Sequence, residues 1–280
     1  MEYKIGSCFL GKTLELTDGK IYLAVTLDVG PRIIAAGKVG SESIMYQDVD
    51  DNVNKDVSAE YGEGKWWHIF GGHRIWISPE DETTYYPDCN PVDYAIDGNV
   101  ATFTPPAWVE RGVQPELKLT FLGDGKVDVA MSLKNISNEQ KTLCVWALTV
   151  LKVGGTVEVP LSTKNTGYLA NRNLVIWHYN DIKDERFSLE NDKIILKSSK
   201  DAKGPFKVGS YLNPIHTEYT LGDTVFIKDV DVEEGSEYPD YCSNMETYTN
   251  QFIHEVETLS PIKKVAPGET LTHIEKWTIK

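Results

Sequence analysis

Apolar and polar residues alternate with a period of two through most of this chain, and this alternation constrains the fold more than any other feature. In KVDVAMSLKN (126–135), every second residue from Val127 to Leu133 is apolar, as in a strand with one buried face. The preceding PELKLTFL is separated from it by GDG at 123–125, a connection typical of a β-hairpin. Similar runs include IYLAVTL, RIIAAGKV, KTLCVWALTVL, KIILKS, TVFIKDV and TLTHIEKWTI.

These runs predict an all-β fold. No segment has the apolar repeat of a three-turn amphipathic helix, and no linker, repeat or low-complexity run divides the chain. Many antiparallel strands without an internal boundary predict one large antiparallel β-sandwich that spans residues 1–280 as a single domain. With 280 residues, of which 41% are hydrophobic, the chain is long enough to bury an extensive core.

Charge and cysteine content narrow the classes of function. The formal net charge of −14 disfavours nucleic acid and anionic membranes as partners. No apolar run is long enough for a signal peptide or a membrane-spanning helix. The four cysteines are scattered and lack C-x-x-C spacing, which fits reduced thiols in a cytoplasmic protein better than zinc binding or redox chemistry. We therefore expect no metal and no cofactor, and the oligomeric state stays open.

Two acids share one face of the predicted strand FIHEVETL (252–259). Glu255 and Glu257 are two residues apart, and the same face carries Ile253 and Leu259. If this face is buried, at least one carboxyl group must be paired or have a raised pKa, which is one arrangement that yields a general base. The alternative is that both acids lie in water at the end of the strand.

A second cluster of functional residue types lies in IFGGHRIWISPE (69–80). After the glycine pair come His73, Arg74, Trp76 and Glu80. The guanidinium group of Arg74 can bind a carboxylate or a pair of hydroxyls, and the indole of Trp76 can stack on the apolar face of a sugar ring. Aromatic side chains next to charged groups suit a carbohydrate pocket. The alternative is that the tryptophans of this region belong to the core.

Four segments together are similar to the galactose mutarotase-like, aldose 1-epimerase-related superfamily. They are IYLAVTLDVGPRIIAAGKVGSESIMYQD, GGHRIWISPE, EVETLSP and VAPGETLTHIEKWTI. The similarity covers most of the chain and is greatest to an uncharacterised branch of the superfamily. It implies a β-supersandwich with a sugar pocket on its concave face. It also implies an aldose 1-epimerase mechanism, in which a glutamate takes the proton of the anomeric hydroxyl and a histidine protonates the ring oxygen.

The resemblance implies that Glu257 is the catalytic glutamate, with Glu255 beside it. The mid-chain histidine of the family has no counterpart here, because KNISNEQKTLCVWALTVLKVGG (134–155) contains no histidine and Trp146 stands near its expected position. The family's His-Gly-Gly loop is also altered, since His73 follows the glycine pair instead of preceding it. We predict His73 as the second catalytic residue, with His178 and Arg74 as alternatives. The predicted substrate-binding residues are Arg74, Trp76, Glu80, Trp146, Glu255 and Arg32.

The sequence therefore predicts a carbohydrate-binding protein, an aldose 1-epimerase-like isomerase that uses glutamate-based acid–base catalysis on a sugar or sugar derivative. The alternative is a non-catalytic carbohydrate-binding protein that lacks the standard histidine. A polysaccharide lyase ranks last, because a chain of 280 residues has no room for the additional helical domain. Nothing in the residues identifies the sugar or its phosphorylation state.

Overall fold

The structure is a computed structural model that describes residues 1–280. Antiparallel strands make up most of it, and the helices are short. The strands are β1 (Glu2–Cys8), β2 (Gly11–Thr17), β3 (Ile21–Thr26), β4 (Ile33–Lys38), β5 (Asn54–Asp56), β6 (Trp66–His68), β7 (Gly72–Ile77), β8 (Asp93–Asp97), β9 (Val100–Thr104), β10 (Val113–Gly123), β11 (Lys126–Asn135), β12 (Lys141–Leu143), β13 (Val145–Lys152), β14 (Thr156–Pro160), β15 (Val175–Ile176), β16 (Phe187–Leu189), β17 (Lys193–Lys197), β18 (Phe206–Ser210), β19 (Ile215–Leu221), β20 (Thr224–Val230), β21 (Met245–Thr249), β22 (Ile253–Leu259), β23 (Lys263–Val265) and β24 (Thr270–Ile279). The helices are α1 (Ser58–Tyr61) and α2 (Pro239–Cys242), with 3-10 turns at Glu82–Thr84 and Val109–Arg111. No helix has the length and apolar character needed to cross a membrane.

Two ten-stranded sheets form the sandwich. The first sheet has the order β1-β2-β3-β4-β7-β13-β22-β21-β18-β15, and the second has the order β16-β17-β14-β19-β20-β24-β11-β10-β9-β8. The predicted hairpin across GDG is confirmed, because β10 pairs with β11 and Phe121 lies opposite Val127. The prediction of a large antiparallel all-β sandwich is also confirmed. The single domain over 1–280 stays a prediction.

The main core lies between the two sheets, and the alternation of the strands explains it. Val127, Val129, Met131 and Leu133 are all fully buried in one cluster of apolar side chains that contains residues of both sheets. A second, smaller cluster contains tryptophan and aliphatic side chains on the outer face of the first sheet. Both faces of the central strands of that sheet are therefore buried, so any charge on them needs a partner.

A buried ionic network joins the two sheets behind β22. The ammonium group of Lys228 lies 2.7 Å from Glu275 Oε1 and donates to the backbone oxygen of Val256 at 2.9 Å. Thr258 Oγ1 donates to Glu275 Oε1 at 2.6 Å, and Trp277 Nε1 donates to Glu275 Oε2 at 2.7 Å. Lys228 and Glu275 belong to the second sheet, whereas Val256 and Thr258 belong to β22 of the first. The network therefore fixes the backbone of β22 against the opposite sheet.

We expect Lys228→Met to lower the free energy of unfolding by about 3–5 kcal/mol, because it leaves the carboxylate of Glu275 buried without its cation. The measurement is urea denaturation of both proteins at neutral pH. Lys276→Met is the matched control, since Lys276 on the neighbouring strand pairs with Asp231 in water. Equal losses for the two variants would contradict the importance of the buried pair.

Candidate functional site

A cleft of about 430 Å³ lies on the outer face of the first sheet, turned away from the second sheet. Residues of β5, β6, β7, β13, β18, β21 and β22 line it, together with loop residues. Its aromatic lining consists of Trp67, Trp76, Trp146, Trp177, Tyr85, Tyr179 and Tyr248. The charged residues of the lining are Lys55, Glu80, Lys207 and Glu255. The cleft therefore combines broad apolar ring surfaces with a small number of charged groups.

One wall of the cleft is a stack of indole rings. The ring centres of Trp67 and Trp76 lie 5.3 Å apart, and those of Trp76 and Trp146 lie 4.9 Å apart with an angle of 14° between the planes. The ring of Tyr85 packs edge-on against Trp67 and Trp76, 5.1 Å from each. Packing of this kind stabilises the rings against one another, and they form a continuous aromatic surface.

The predicted glycine turn is present at the start of β7. Gly71 and Gly72 have φ values of 96° and 67°, which side chains other than glycine rarely adopt. A Cβ atom on Gly71 would lie 2.1 Å from the backbone oxygen of Tyr46, and one on Gly72 would lie 2.3 Å from that of Ile33. The strand that follows alternates between faces, so Arg74 and Trp76 lie on the cleft side of the sheet and His73 on the core side.

The prediction of His73 as a catalytic residue in the cleft is corrected by this alternation. Its imidazole is fully buried between the sheets, with Nδ1 2.8 Å from Thr149 Oγ1 and Nε2 3.1 Å from Met131 Sδ. Burial holds the pKa of His73 well below its ordinary value. Because the ring faces away from the cleft, it has no route to a sugar bound there.

The two predicted arginines do not line the cleft. Arg32 is ion-paired with Asp88 through NH1 at 2.5 Å and NH2 at 2.7 Å, which corrects its predicted substrate contact to a buried structural pair. The guanidinium carbon of Arg74 lies 4.5 Å from the ring centre of Trp76 and 5.2 Å from that of Trp67, behind the indole wall. None of its nitrogens has a hydrogen-bond partner, and burial lowers the pKa of Arg74 to about 9.

The other predicted substrate-binding residues meet in the cleft. Trp76, Trp146, Glu80 and Glu255 all line it. The carboxylate of Glu80 lies at the rim and accepts a hydrogen bond from the hydroxyl of Tyr85. These four residues lie close together in one cleft, as expected for residues of one site. Their contacts with a substrate stay predictions.

The two acids of β22 lie on one buried face, as their spacing predicts, but only one of them reaches the cleft. Glu255 lines the cleft and is 8% exposed. Glu257 is fully buried beneath the floor, where its Oε2 accepts from Trp146 Nε1 at 2.8 Å and from Lys207 Nζ at 3.0 Å. Burial, and then the neighbouring charge of Glu257, raise the pKa of Glu255 well above its ordinary value.

The sequence interpretation missed Lys207, a buried lysine that lines the cleft. Its ammonium nitrogen lies 2.7 Å from Glu246 Oε2 and 4.8 Å from the ring centres of both Trp146 and Trp177. Burial opposes the charge of Lys207, but the carboxylates of Glu246 and Glu257 outweigh burial and hold its pKa well above the ordinary value. The only local signal is a lysine between Phe206 and Val208 in a short apolar strand.

Comparison with known proteins supports the fold. No model of a protein family matches this chain, and no curated protein matches its sequence. The Slr1438 protein of Synechocystis sp. PCC 6803 is similar in structure, with a TM-score of 0.60 and 9% identity over 100% of this chain and 96% of that one. A galactose mutarotase-like protein of Lactobacillus casei gives a TM-score of 0.60 at 12% identity over 96% and 100%. A galactose mutarotase-like protein of Clostridium acetobutylicum gives 0.56 at 12% identity over 100% and 98%.

At these identities the likeness shows the fold alone. The chain has the galactose mutarotase-like β-sandwich fold, as the resemblance of its sequence motifs predicts. The likeness carries no residue assignments, so the chemistry of the cleft has to be argued from this chain's own side chains.

Glu246 provides a test of the electrostatics beneath the cleft. Burial raises the pKa of Glu246 from 4.5 to about 7. A carboxyl group whose pKa is higher in the folded state stabilises the fold below its unfolded pKa and loses that contribution as the pH rises towards 7. We expect the free energy of unfolding of Glu246→Gln to fall less over this pH range than that of the wild type, as measured by urea unfolding at a series of pH values. Parallel curves for the two proteins would contradict the shifted pKa.

Proposed function

We propose that this chain, with its galactose mutarotase-like fold, binds an aldose in the aromatic cleft and interconverts its anomers by glutamate-based acid–base catalysis. One observation carries the proposal: a pair of glutamates at the floor of an aromatic cleft, Glu255 facing the cleft and Glu257 ion-paired below it. This arrangement places the carboxyl group of Glu255 where a sugar ring would lie against the indole wall, with the charge of Glu257 beside it.

The shape and lining of the cleft support a monosaccharide-sized ligand. Its volume of about 430 Å³ falls within the range of roughly 300–1,000 Å³ that small-molecule sites occupy. Indole and phenol rings offer apolar faces to the C–H groups of a sugar, and the side chains of Asn54, Asn250 and Glu80 offer hydrogen bonds to its hydroxyls.

The names of similar structures give independent support. Two of the proteins compared above are described as galactose mutarotase-like. Interconversion of anomers needs a proton to leave the anomeric hydroxyl and a proton to reach the ring oxygen, which is chemistry that carboxyl groups perform. No metal or cofactor enters this proposal.

A second candidate function is sugar binding without catalysis. None of the chain's histidines lines the cleft, and the carboxylate of Glu257 is already engaged by Trp146 and Lys207. A protein that has kept the aromatic cleft but lost the reaction would have this arrangement.

The experiment that tests both candidates is NMR exchange spectroscopy between the α and β anomers of a panel of aldoses and sugar phosphates. We expect the wild type to exceed the buffer rate on at least one sugar. The double variant Glu255→Gln/Glu257→Gln should lose about 10²–10⁴-fold of the catalysed rate, the range of general acid–base catalysis. Glu116→Gln, which changes an outward-facing glutamate of the second sheet, is the matched control and should keep the wild-type rate.

The outcomes separate the candidates. Calorimetric binding of a sugar without exchange would support the non-catalytic function. If no sugar on the panel binds or exchanges, both candidates are wrong.

A further inference from the structure

We infer that Glu255 alone performs both proton transfers of the reaction, acting as a neutral carboxylic acid in place of a glutamate–histidine pair. This inference rests on the proposed function, and it assigns the chemistry to a different glutamate from the one that the family resemblance implies.

Access to the cleft separates the two glutamates. Glu255 belongs to the lining of the cleft, whereas both carboxylate oxygens of Glu257 are shielded from it. Oε2 of Glu257 holds the hydrogen bonds from Trp146 and Lys207, and Oε1 is buried without a partner. A sugar on the indole wall would therefore touch the carboxyl group of Glu255 and not that of Glu257.

Neither a histidine nor a free ammonium group is available in the cleft lining. All six histidines lie outside the cleft lining, and His73, His254 and His273 are buried. The ammonium group of Lys207 reaches the cleft, but the carboxylates of Glu246 and Glu257 bind it at 2.7 Å and 3.0 Å. Glu255 is the acidic residue of the cleft floor whose carboxyl group has no lysine or arginine nitrogen within ion-pair distance.

Charges from every neighbouring element act on Glu255. Glu257 on the same strand and Glu80 beyond β7 disfavour its carboxylate form, and burial disfavours that form most strongly. Lys207 on β18 and Arg74 on β7 act in the opposite direction, while the hydroxyls of Tyr85, Tyr179 and Tyr248 stay neutral because burial raises the pKa of each. Burial and the two carboxylates outweigh the two cations, so the pKa of Glu255 is held well above its ordinary value.

A neutral carboxyl group carries an acid and a base on adjacent atoms. The anomeric hydroxyl and the ring oxygen of a sugar are bonded to the same carbon, C1, so one carboxyl group can reach both. Its carbonyl oxygen takes the proton of the anomeric hydroxyl, whose O–H electron pair forms the C1=O bond. The bond from C1 to the ring oxygen breaks, and its electron pair stays on the ring oxygen, which takes the carboxyl proton.

After this step the carboxyl group is still neutral, with its proton on the other oxygen. Rotation about the C1–C2 bond of the open-chain aldehyde followed by the reverse step closes the ring as the other anomer. No co-reactant is consumed, and no net charge forms on Glu255, which suits a cleft with apolar walls. Glu257 is then a positioning residue, because its charge helps to keep Glu255 neutral and its ion pair fixes Lys207.

The pH dependence of the wild-type exchange rate tests the inference without any substitution. If the neutral form of Glu255 is the active one, the rate is highest at acidic pH and falls along a single limb as the pH rises through its pKa. A carboxylate base would instead give a rate that rises with pH, and a carboxylate–acid pair would give a bell-shaped profile. Either of these two profiles would overturn the inference.

Single variants give the second test. Glu255→Gln should lower the exchange rate by about 10²–10⁴-fold while calorimetry shows sugar binding retained. Glu257→Gln should keep the single falling limb but move it to lower pH, because the repelling charge beside Glu255 is lost. Glu116→Gln should match the wild type in rate and in profile.

The results also distinguish this inference from the proposed function. If Glu255→Gln keeps the wild-type rate, the inference is wrong and the proposed function stands. If the wild type itself exchanges no sugar above the buffer rate, the proposed function fails and the inference fails with it. Should Glu255→Gln fold poorly by circular dichroism, the wild-type pH profile alone decides.

Discussion

Compensation of buried charge on the two faces of β22 is the constraint on which the rest of the structure depends. On the core face, Lys228 of the second sheet donates to the backbone of Val256 and pairs with Glu275. On the cleft face, Lys207 of β18 pairs with Glu257. A charge left unpaired at either position would cost about 3–5 kcal/mol. The same strand is thereby fixed against the opposite sheet at Val256 and fixed beneath the cleft at Glu257, and Glu255 comes directly before these two attachments.

The period-two pattern made the strands, the hairpin across GDG and the shared face of Glu255 and Glu257 predictable from the sequence. These features follow from the local alternation of apolar and polar residues, which is visible in the sequence itself. The partners of the buried charges could not be predicted, because Lys207 meets a glutamate 50 residues away and Trp146 meets the same glutamate 111 residues away.

The error at His73 has a different origin. Consecutive residues of a strand point to opposite faces, so His73 and Arg74 could not both belong to the wall of one cleft once that segment was a strand. The residue types of this segment indicate a binding site, but they do not show which side chains share a face. The ion pair of Arg32 with Asp88 could not be predicted for a related reason. Asp88 lies in a connection between strands, and the alternation of apolar and polar residues does not predict the path of a connection.

The glycine pair at the start of β7 determines which side chain of this strand a ligand can contact. Since Gly71 and Gly72 approach the backbone oxygens of Tyr46 and Ile33 too closely for any Cβ atom, they set the point at which this strand joins the sheet. A displacement of the strand by one residue would exchange its two faces, bringing the imidazole of His73 outward and driving the guanidinium of Arg74 between the sheets. His73 and Arg74 would thus give the outer face of the sheet two chemically different surfaces. The lack of side chains at Gly71 and Gly72 determines which of the two residues lies on that face.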